Sequence, residues 1–160
     1  MLVLVLDNLR SKHNVGSIFR TADATGVDRI YLCGTTPQPY DRFGRPVTEI
    51  KKTALGAERT VSFTYHQDTL AAIQALQNEA VPVWSVEQTP NARDLVFDSK
   101  LKIPQSVAFV FGNEVTGVDN SIISCSDGVL ALPMAGSKES LNVSVAVGAV
   151  LYLHQQRFRQ

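Results

Sequence analysis

Apolar positions recur along the chain in two alternating rhythms. Short runs at 3–6, 29–33, 81–86, 107–111 and 129–132 are dominated by apolar residues, the pattern of strands buried on both faces of a sheet. Between them the spacing becomes helical. Val15, Ile18, Phe19 and Ala22 follow the i, i+3, i+4, i+7 rule, with Asn14 placed as N-cap and Gly26 as terminator. Arg20 then points away from that apolar stripe. A further helix is predicted over 67–79, with Leu70, Ile73 and Leu76 buried and Gln74, Gln77 and Asn78 outside. Strands alternating with helices predict an α/β fold: a mostly parallel sheet with helices on both faces. The stretch 35–45, with Pro37, Pro39, Gly44 and nearby Pro46, reads as a long loop of the kind that often binds ligands.

The C-terminal third departs from this regularity. Residues 128–132 carry strand propensity, Pro133 ends the ladder, Gly136 permits unusual backbone angles, and Ser140 or Asn142 sits at or near a helix start. From 143 to 153 the chain is apolar on nearly every side, a wider surface than an ordinary surface helix presents. Such a helix needs cover on two faces, from its own core and from a second subunit, which predicts a homodimer.

Composition narrows the picture. With 160 residues, 44% of them hydrophobic and 19% charged, the chain is expected to form one domain over 1–160. The apolar run at 2–6 is halted by Asp7, and 141–153 is too short to span a bilayer, so no membrane segment is expected. Cys33 and Cys125 lack metal-ligand spacing, and with no secretion signal they are expected to be reduced, buried thiols in the cytoplasm. No metal site is expected. His13, His66 and His154 are isolated in sequence and offer no visible general base. The formal net charge of zero excludes an indiscriminate polycation. Yet Arg10, Lys12, Arg20, Arg29, Arg42, Arg45, Lys51, Lys52 and Arg59 all fall in the first part, either as a basic patch or as scattered surface charge.

Three polar clusters follow predicted strands, where α/β sheets hold ligands. In the first, Asn14 and Arg20 read equally as a cap and an exposed helical charge. In the second, 111–117, a glycine-flanked turn sets Glu114 at a loop edge. In the third, 137–144, one cap explains one polar side chain but not so dense a set against an apolar helix. No P-loop, GxGxxG, HExxH, Cys/His ligand spacing or GxSxG elbow competes.

Taken in order, Asn14-x-Gly16-x-x-x-Arg20-Thr21-Ala22, then Phe111-Gly112-Asn113-Glu114 with Gly117, then Leu132-Pro133-Met134-Ala135-Gly136 through Ser140-Leu141-Asn142-Val143-Ser144, resemble the three motifs of the SpoU (TrmH-like) branch of the SPOUT RNA methyltransferases. The intervening Ala54-Leu55-Gly56-Ala57-Glu58 is also similar to that family. The resemblance spans nearly the whole chain. It implies a C-terminal trefoil knot (the α/β knot), which topology rules alone argue against, and bent S-adenosylmethionine as cofactor. It further implies methyl transfer to a ribose 2′-hydroxyl of tRNA or rRNA. On the matching positions, Gly112, Asn113, Leu132, Met134, Gly136, Ser140, Leu141 and Asn142 would line the cofactor pocket. Asn14, Arg20, Glu114, Ser140 and Asn142 would form the reaction centre, Arg20 acting either as general base or as a grip on the phosphate beside the target ribose. RNA would be held by Arg10, Lys12, Arg42, Arg45, Lys51 and Lys52, or across the dimer, by a minimal catalytic domain. The alternatives are a knotted RNA-binding or assembly protein without turnover, and a knotted methyltransferase acting on a base.

Overall fold

The computed structural model describes residues 1–158. Its elements in chain order are β1 (Leu2–Asp7), α1 (Lys12–Thr25), β2 (Arg29–Cys33), α2 (Thr48–Ala54), α3 (Ala57–Thr60), β3 (Phe63–His66), α4 (Thr69–Asn78), β4 (Val83–Val86), β5 (Arg93–Asp94), β6 (Val107–Phe111), α5 (Asn120–Cys125), β7 (Gly128–Ala131) and α6 (Val143–Gln156). The strands form one seven-stranded sheet in the order β3-β2-β1-β6-β4-β7-β5, and every pairing is parallel.

The alternation of side chains along each strand assigns the two faces. Leu2, Leu4 and Leu6 of β1, Ile30 and Leu32 of β2, and Val107, Phe109 and Phe111 of β6 pack with α1 and α6. Val3, Val5, Tyr31, Cys33, Ala108 and Val110 pack with Ala72, Ile73 and Leu76 of α4 and Ile122 of α5. Burial on both faces is why these strands are continuous apolar runs. The elements without such runs are the ones sequence pattern misses: β3 and β5 lie at the two edges, and α2, α3 and α5 are too short to show a helical period.

Several expectations are corrected. The N-cap of α1 is Ser11, whose Oγ accepts the Asn14 amide at 3.2 Å, so Asn14 sits one turn inside the helix and its side chain is not used as the cap. Gly26 does end the helix, in the left-handed conformation with φ 67°. In α4, Leu70 is exposed and Ala72 is buried, because the covered stripe is Thr69, Ala72, Ile73 and Leu76, an i, i+3, i+4, i+7 set that leaves position 70 at its margin. Cys125, at the end of α5, is exposed, whereas Cys33 is buried and its thiol pKa is pushed up to about 12 by burial. Gly136 does not adopt a positive φ. Helix α6 buries Val143, Val147, Val150 and Leu151 but leaves Val145 55% and Tyr152 57% exposed, so the chain's own core covers one face and not the other.

One buried group sets a pH response. His154 is enclosed between Phe109 and Phe158, with Nε2 3.0 Å from the Pro104 carbonyl oxygen, so that nitrogen carries the hydrogen; Nδ1 has no partner among the described residues. Burial pushes its pKa below the usual 6.5, against the pull of the Pro104 carbonyl. The unfolded chain therefore takes up the proton first as pH falls. Stability is expected to decline from about pH 6.5 downward and to level off only below the folded pKa. Melting temperature measured at about pH 7.5 and about pH 5.5 should fall in the wild type and fall less in His154→Leu, even though that variant starts lower.

Candidate functional site

The adjacent strands β1 and β6 are followed by helices on opposite faces of the sheet, α1 on the face of Leu4 and Phe109 and α5 on the face of Val5 and Val110. A crevice opens at the carboxyl ends of the strands at such a reversal. A cavity of about 680 Å³ lies there, within the range of small-molecule and cofactor sites. Its walls come from four segments: Arg10, Ser11 and Asn14 after β1; Val86, Glu87 and Gln88 after β4; Phe111 to Val115 after β6; and Ala131, Leu132, Met134, Ser140 to Val143 and Ala146 after β7.

The turn after β6 is built by its own sequence. A side chain at Gly112 would bring a Cβ within 2.3 Å of the Gly117 backbone, so only glycine lets the two halves of the turn close. Asn113 Oδ1 accepts the Val115 amide at 2.8 Å, and its Nδ2 donates to the Asn8 carbonyl at 2.7 Å, which ties this turn to the loop after β1. Gly117 has φ 72°, and a Cβ there would meet Glu87 Oε2 at 2.2 Å. Glu87 is held in turn by the Val118 amide at 2.7 Å.

This turn aims Glu114 at the start of α1. Its carboxylate accepts the Arg10 amide at 2.9 Å, the Ser11 amide at 3.1 Å and the Asn14 side-chain amide at 3.2 Å. A carboxylate beside a helix N-terminus is also favoured by the helix dipole. Partial burial raises the Glu114 pKa, but the hydrogen bonds from Arg10, Ser11 and Asn14 outweigh it and leave the group below the usual range. Glu114 is thus an anchor and a weak base.

Asn14 passes that orientation on. With Nδ2 donated to Glu114, its Oδ1 faces Asn142 Nδ2 and accepts from it at 3.2 Å. Asn142 is the N-cap of α6, its Oδ1 accepting the Ser144 amide at 2.9 Å and the Ser144 hydroxyl at 2.7 Å. A single hydrogen-bonded line, Glu114–Asn14–Asn142–Ser144, therefore fixes both amides and joins the starts of two helices at the cavity wall. This is the use of the polar density ahead of α6.

The expected site residues divide accordingly. Asn14, Glu114, Ser140, Asn142, Gly112, Asn113, Leu132, Met134 and Leu141 all line the cavity. Gly136 and Arg20 do not. Arg20 is exposed on α1, six positions beyond Asn14, which is about 9 Å along the axis and about 120° around it. Of the expected RNA contacts, Arg10 is at the cavity, Lys12 is paired with Glu49 at 3.0 Å, Arg45 with Asp41 at 2.8 Å, and Arg42, Lys51 and Lys52 are exposed without an ion pair among the described residues. Sequence reasoning missed Ser11, Glu87 and Gln88. Gln88 Nε2 donates to the Leu132 carbonyl at 2.6 Å and holds the loop after β7 in place. The signal available for Glu87 and Gln88 was their position directly after a predicted strand, the rule that marks ligand loops in parallel sheets. Among the described residues no group of three or more His, Cys, Asp or Glu is arranged to hold a metal, and no helix is long and apolar enough to cross a membrane.

Comparison with known proteins gives a consistent result. The chain is 35% identical over 151 residues to the 23S rRNA (guanosine-2'-O-)-methyltransferase RlmB of Vibrio cholerae, covering 94% of this chain and 57% of that one. It is likewise 35% identical over 154 residues to RlmB of Haemophilus influenzae, covering 94% of this chain and 58% of the relative. The chain thus spans little more than half the length of these curated relatives. Among solved structures, an AdoMet-bound rRNA methyltransferase from Sinorhizobium meliloti superposes with TM-score 0.81 at 25% identity, covering 99% of this chain and 57% of the other. A protein from a study of 2-OH methylation of C/U34 on tRNA superposes with TM-score 0.82 at 25% identity, covering 99% of this chain and 96% of the other. The profile of the SpoU rRNA Methylase family matches residues 1–152, and the chain belongs to that family.

Proposed function

We propose that the protein is an S-adenosylmethionine-dependent RNA methyltransferase acting on a ribose 2′-hydroxyl of tRNA or rRNA, as a single SPOUT domain over 1–160 with the C-terminal knot of its family. The observation that carries this reading is the Glu114–Asn14–Asn142 line at the cavity wall. It orients two side-chain amides at fixed positions beside a space large enough for a nucleoside cofactor.

The cavity suits that cofactor chemically. Val86, Leu132, Leu141, Val143 and Ala146 supply apolar surface for a base, and the segments 132–134 and 140–142 supply backbone donors and acceptors around it. Glu87, Glu114 and Arg10 bring both signs of charge to a ligand that carries a cationic sulfonium and a zwitterionic amino-acid tail. When bound, S-adenosylmethionine supplies an activated methyl group on sulfur. The residues of the chain do the rest: Gly112, Asn113, Leu132, Met134, Ser140, Leu141 and Asn142 orient the ligand. Asn14 and Asn142, with Ser140 adjacent, align the acceptor hydroxyl, a contribution of position and not of acid or base strength. Transfer releases the proton of the acceptor hydroxyl, which passes to the neighbouring RNA phosphate or to water; Glu114, a weak base whose oxygens already hold three donors, keeps position instead.

Arg20 completes the site from the second copy of a homodimer. The partly exposed face of α6 at Val145 and Tyr152 gives the second subunit an apolar surface, and the exposed side of α1 brings Arg20 to it. There its guanidinium grips the phosphate next to the target ribose. Arg10, Lys12, Arg42, Arg45, Lys51 and Lys52 hold the flanking RNA backbone and orient it without reading sequence. The cytoplasm is the place of work. Two substrate classes stand: the curated relatives act on 23S rRNA, while the tRNA-modification protein matches this chain over nearly its full length.

Calorimetry with S-adenosylhomocysteine tests the reading at its base. Saturable binding is expected well below about millimolar ligand. Folded protein that takes up no ligand at that concentration would remove the enzyme reading, and mapping the ribose methylation lost on gene deletion would identify the RNA.

A further inference from the structure

The long loop after β2 contains a feature that the cavity does not use. Between Tyr40 and Pro46, which form an antiparallel bridge, the chain makes a tight hairpin. Asp41 builds it: Oδ1 accepts the Phe43 amide at 2.8 Å and the Arg45 amide at 3.0 Å, and Oδ2 accepts Arg45 Nε at 2.8 Å. Gly44, with φ 74°, turns the tip. These bonds display Phe43 outward, 65% exposed. An apolar ring at a loop tip ordinarily costs hydration and is buried or replaced. Here both neighbouring guanidiniums lie over it, Arg42 with Cζ 4.7 Å and Arg45 with Cζ 5.0 Å from the ring centroid. The hairpin is anchored at its base, where Tyr40 stacks on Phe63, and the helix that follows it is tied to the cavity side of α1. Glu49 pairs with Lys12 at 3.0 Å, and the Thr53 hydroxyl donates to the His13 carbonyl at 3.0 Å.

We infer that the Arg42–Phe43–Arg45 hairpin is a stacking platform for an unpaired base of the substrate RNA, flanking the nucleotide to be methylated. The inference rests on the RNA reading above and adds to it a residue that holds single-stranded RNA through a base face. A planar aromatic ring and planar guanidiniums are the surfaces on which splayed bases stack, and the guanidiniums add attraction for the adjoining phosphates. Charge complementarity selects RNA over an apolar protein partner. Arg45 is balanced by Asp41, but Arg42 has no ion pair among the described residues, and Lys51 and Lys52 lie exposed on the helix that follows. A platform of this kind is indifferent to base identity and demanding of single-strandedness, since a paired base offers no free face.

Binding of the full chain to a single-stranded oligoadenylate of about twelve nucleotides and to an RNA duplex of about sixteen base pairs tests the inference. Phe43→Ala is expected to weaken the single strand by about tenfold or more, leave the duplex within about twofold, and keep the dependence of affinity on salt, since no cation is lost. Arg42→Gln is expected to weaken both RNAs and to reduce the salt slope by about one counterion. Phe43→Trp should retain affinity, whereas Phe43→Leu, equally apolar but without a flat face, should behave as Phe43→Ala. Leucine at wild-type affinity, or equal losses on single strand and duplex, would overturn the platform. Affinity for S-adenosylhomocysteine separates the two readings. A chain that binds the nucleoside and methylates RNA while Phe43→Ala changes nothing loses only this inference. A chain that binds no nucleoside but still needs Phe43 for single strands loses only the enzyme reading.

Discussion

Replacing Glu114 by alanine should lower the rate of methyl transfer by about a hundredfold or more while the protein remains folded. Among the described residues the carboxylate is the only acceptor for the Arg10 and Ser11 amides and for Asn14 Nδ2. Without it the start of α1 loses its fixed position and Asn14 is free to rotate, so Oδ1 no longer meets Asn142 Nδ2. Misplacement of about 1 Å at a reaction centre costs on that order, because alignment of donor, methyl and acceptor is most of what such a site contributes. The core is untouched, since Glu114 is itself exposed. Glu114→Gln should fare little better. Its carboxamide keeps one acceptor oxygen, but the NH2 must then face one of the donors that the carboxylate satisfied. Single-turnover assays at saturating cofactor, beside circular dichroism of the same preparations, measure both halves. A Glu114→Gln enzyme within about threefold of wild type would show that acceptor count at this position does not matter and would remove Glu114 from the positioning role.

The behaviour of Glu114 also explains which parts of the molecule could be read from the sequence. Strands β1, β2 and β6 were legible because residues such as Val5, Leu32 and Phe109 are enclosed on both faces and leave a continuous apolar trace. Edge strand β3 was not, since Thr64 and Tyr65 face solvent there. Asn14 shows the harder case. Asparagine is a favoured cap, and the apolar stripe begins directly after it, so local chemistry points to a cap. What overrides that reading is Ser11, which caps the same helix from three residues upstream. It leaves Asn14 to a partner 100 residues away in sequence. No periodicity encodes such a pairing. The start of α6, by contrast, was legible to within Ser140 or Asn142, because the capping bonds that Asn142 makes to Ser144 are local. Glu87 and Gln88 lay between these cases: their position after β4 was readable, but their work on Val118 and Leu132 was not, because both bonds cross between loops.

Arg20→Ala should abolish methyl transfer and leave affinity for S-adenosylhomocysteine nearly unchanged, since Arg20 is absent from the lining of the cavity. Its place on α1 argues that it serves a site other than its own. Helix α1 starts at the cavity with Ser11 and Asn14 and runs away from it, and the rotation between Asn14 and Arg20 turns the guanidinium off the wall that Asn14 occupies. Within one chain, then, Arg20 does not line the cavity that the Glu114–Asn14–Asn142 line borders. A two-fold dimer supplies one, because a symmetric interface gives each copy the same residue from the other. This makes a complementation test decisive. Arg20→Ala and Asn142→Ala chains should each be inactive alone. Expressed together and purified through two different tags as the mixed dimer, they should recover one working site in two, from the cavity of the first chain and the Arg20 of the second. A random mixture, about half of it mixed dimers, should show about a quarter of wild-type activity. If the mixed dimer is formed and inert while both chains are folded, Arg20 acts on its own subunit's cavity or not at all. If the wild-type chain turns over at full rate as a monomer in sedimentation, the shared site falls and the exposed face of α6 at Val145 and Tyr152 must serve another purpose.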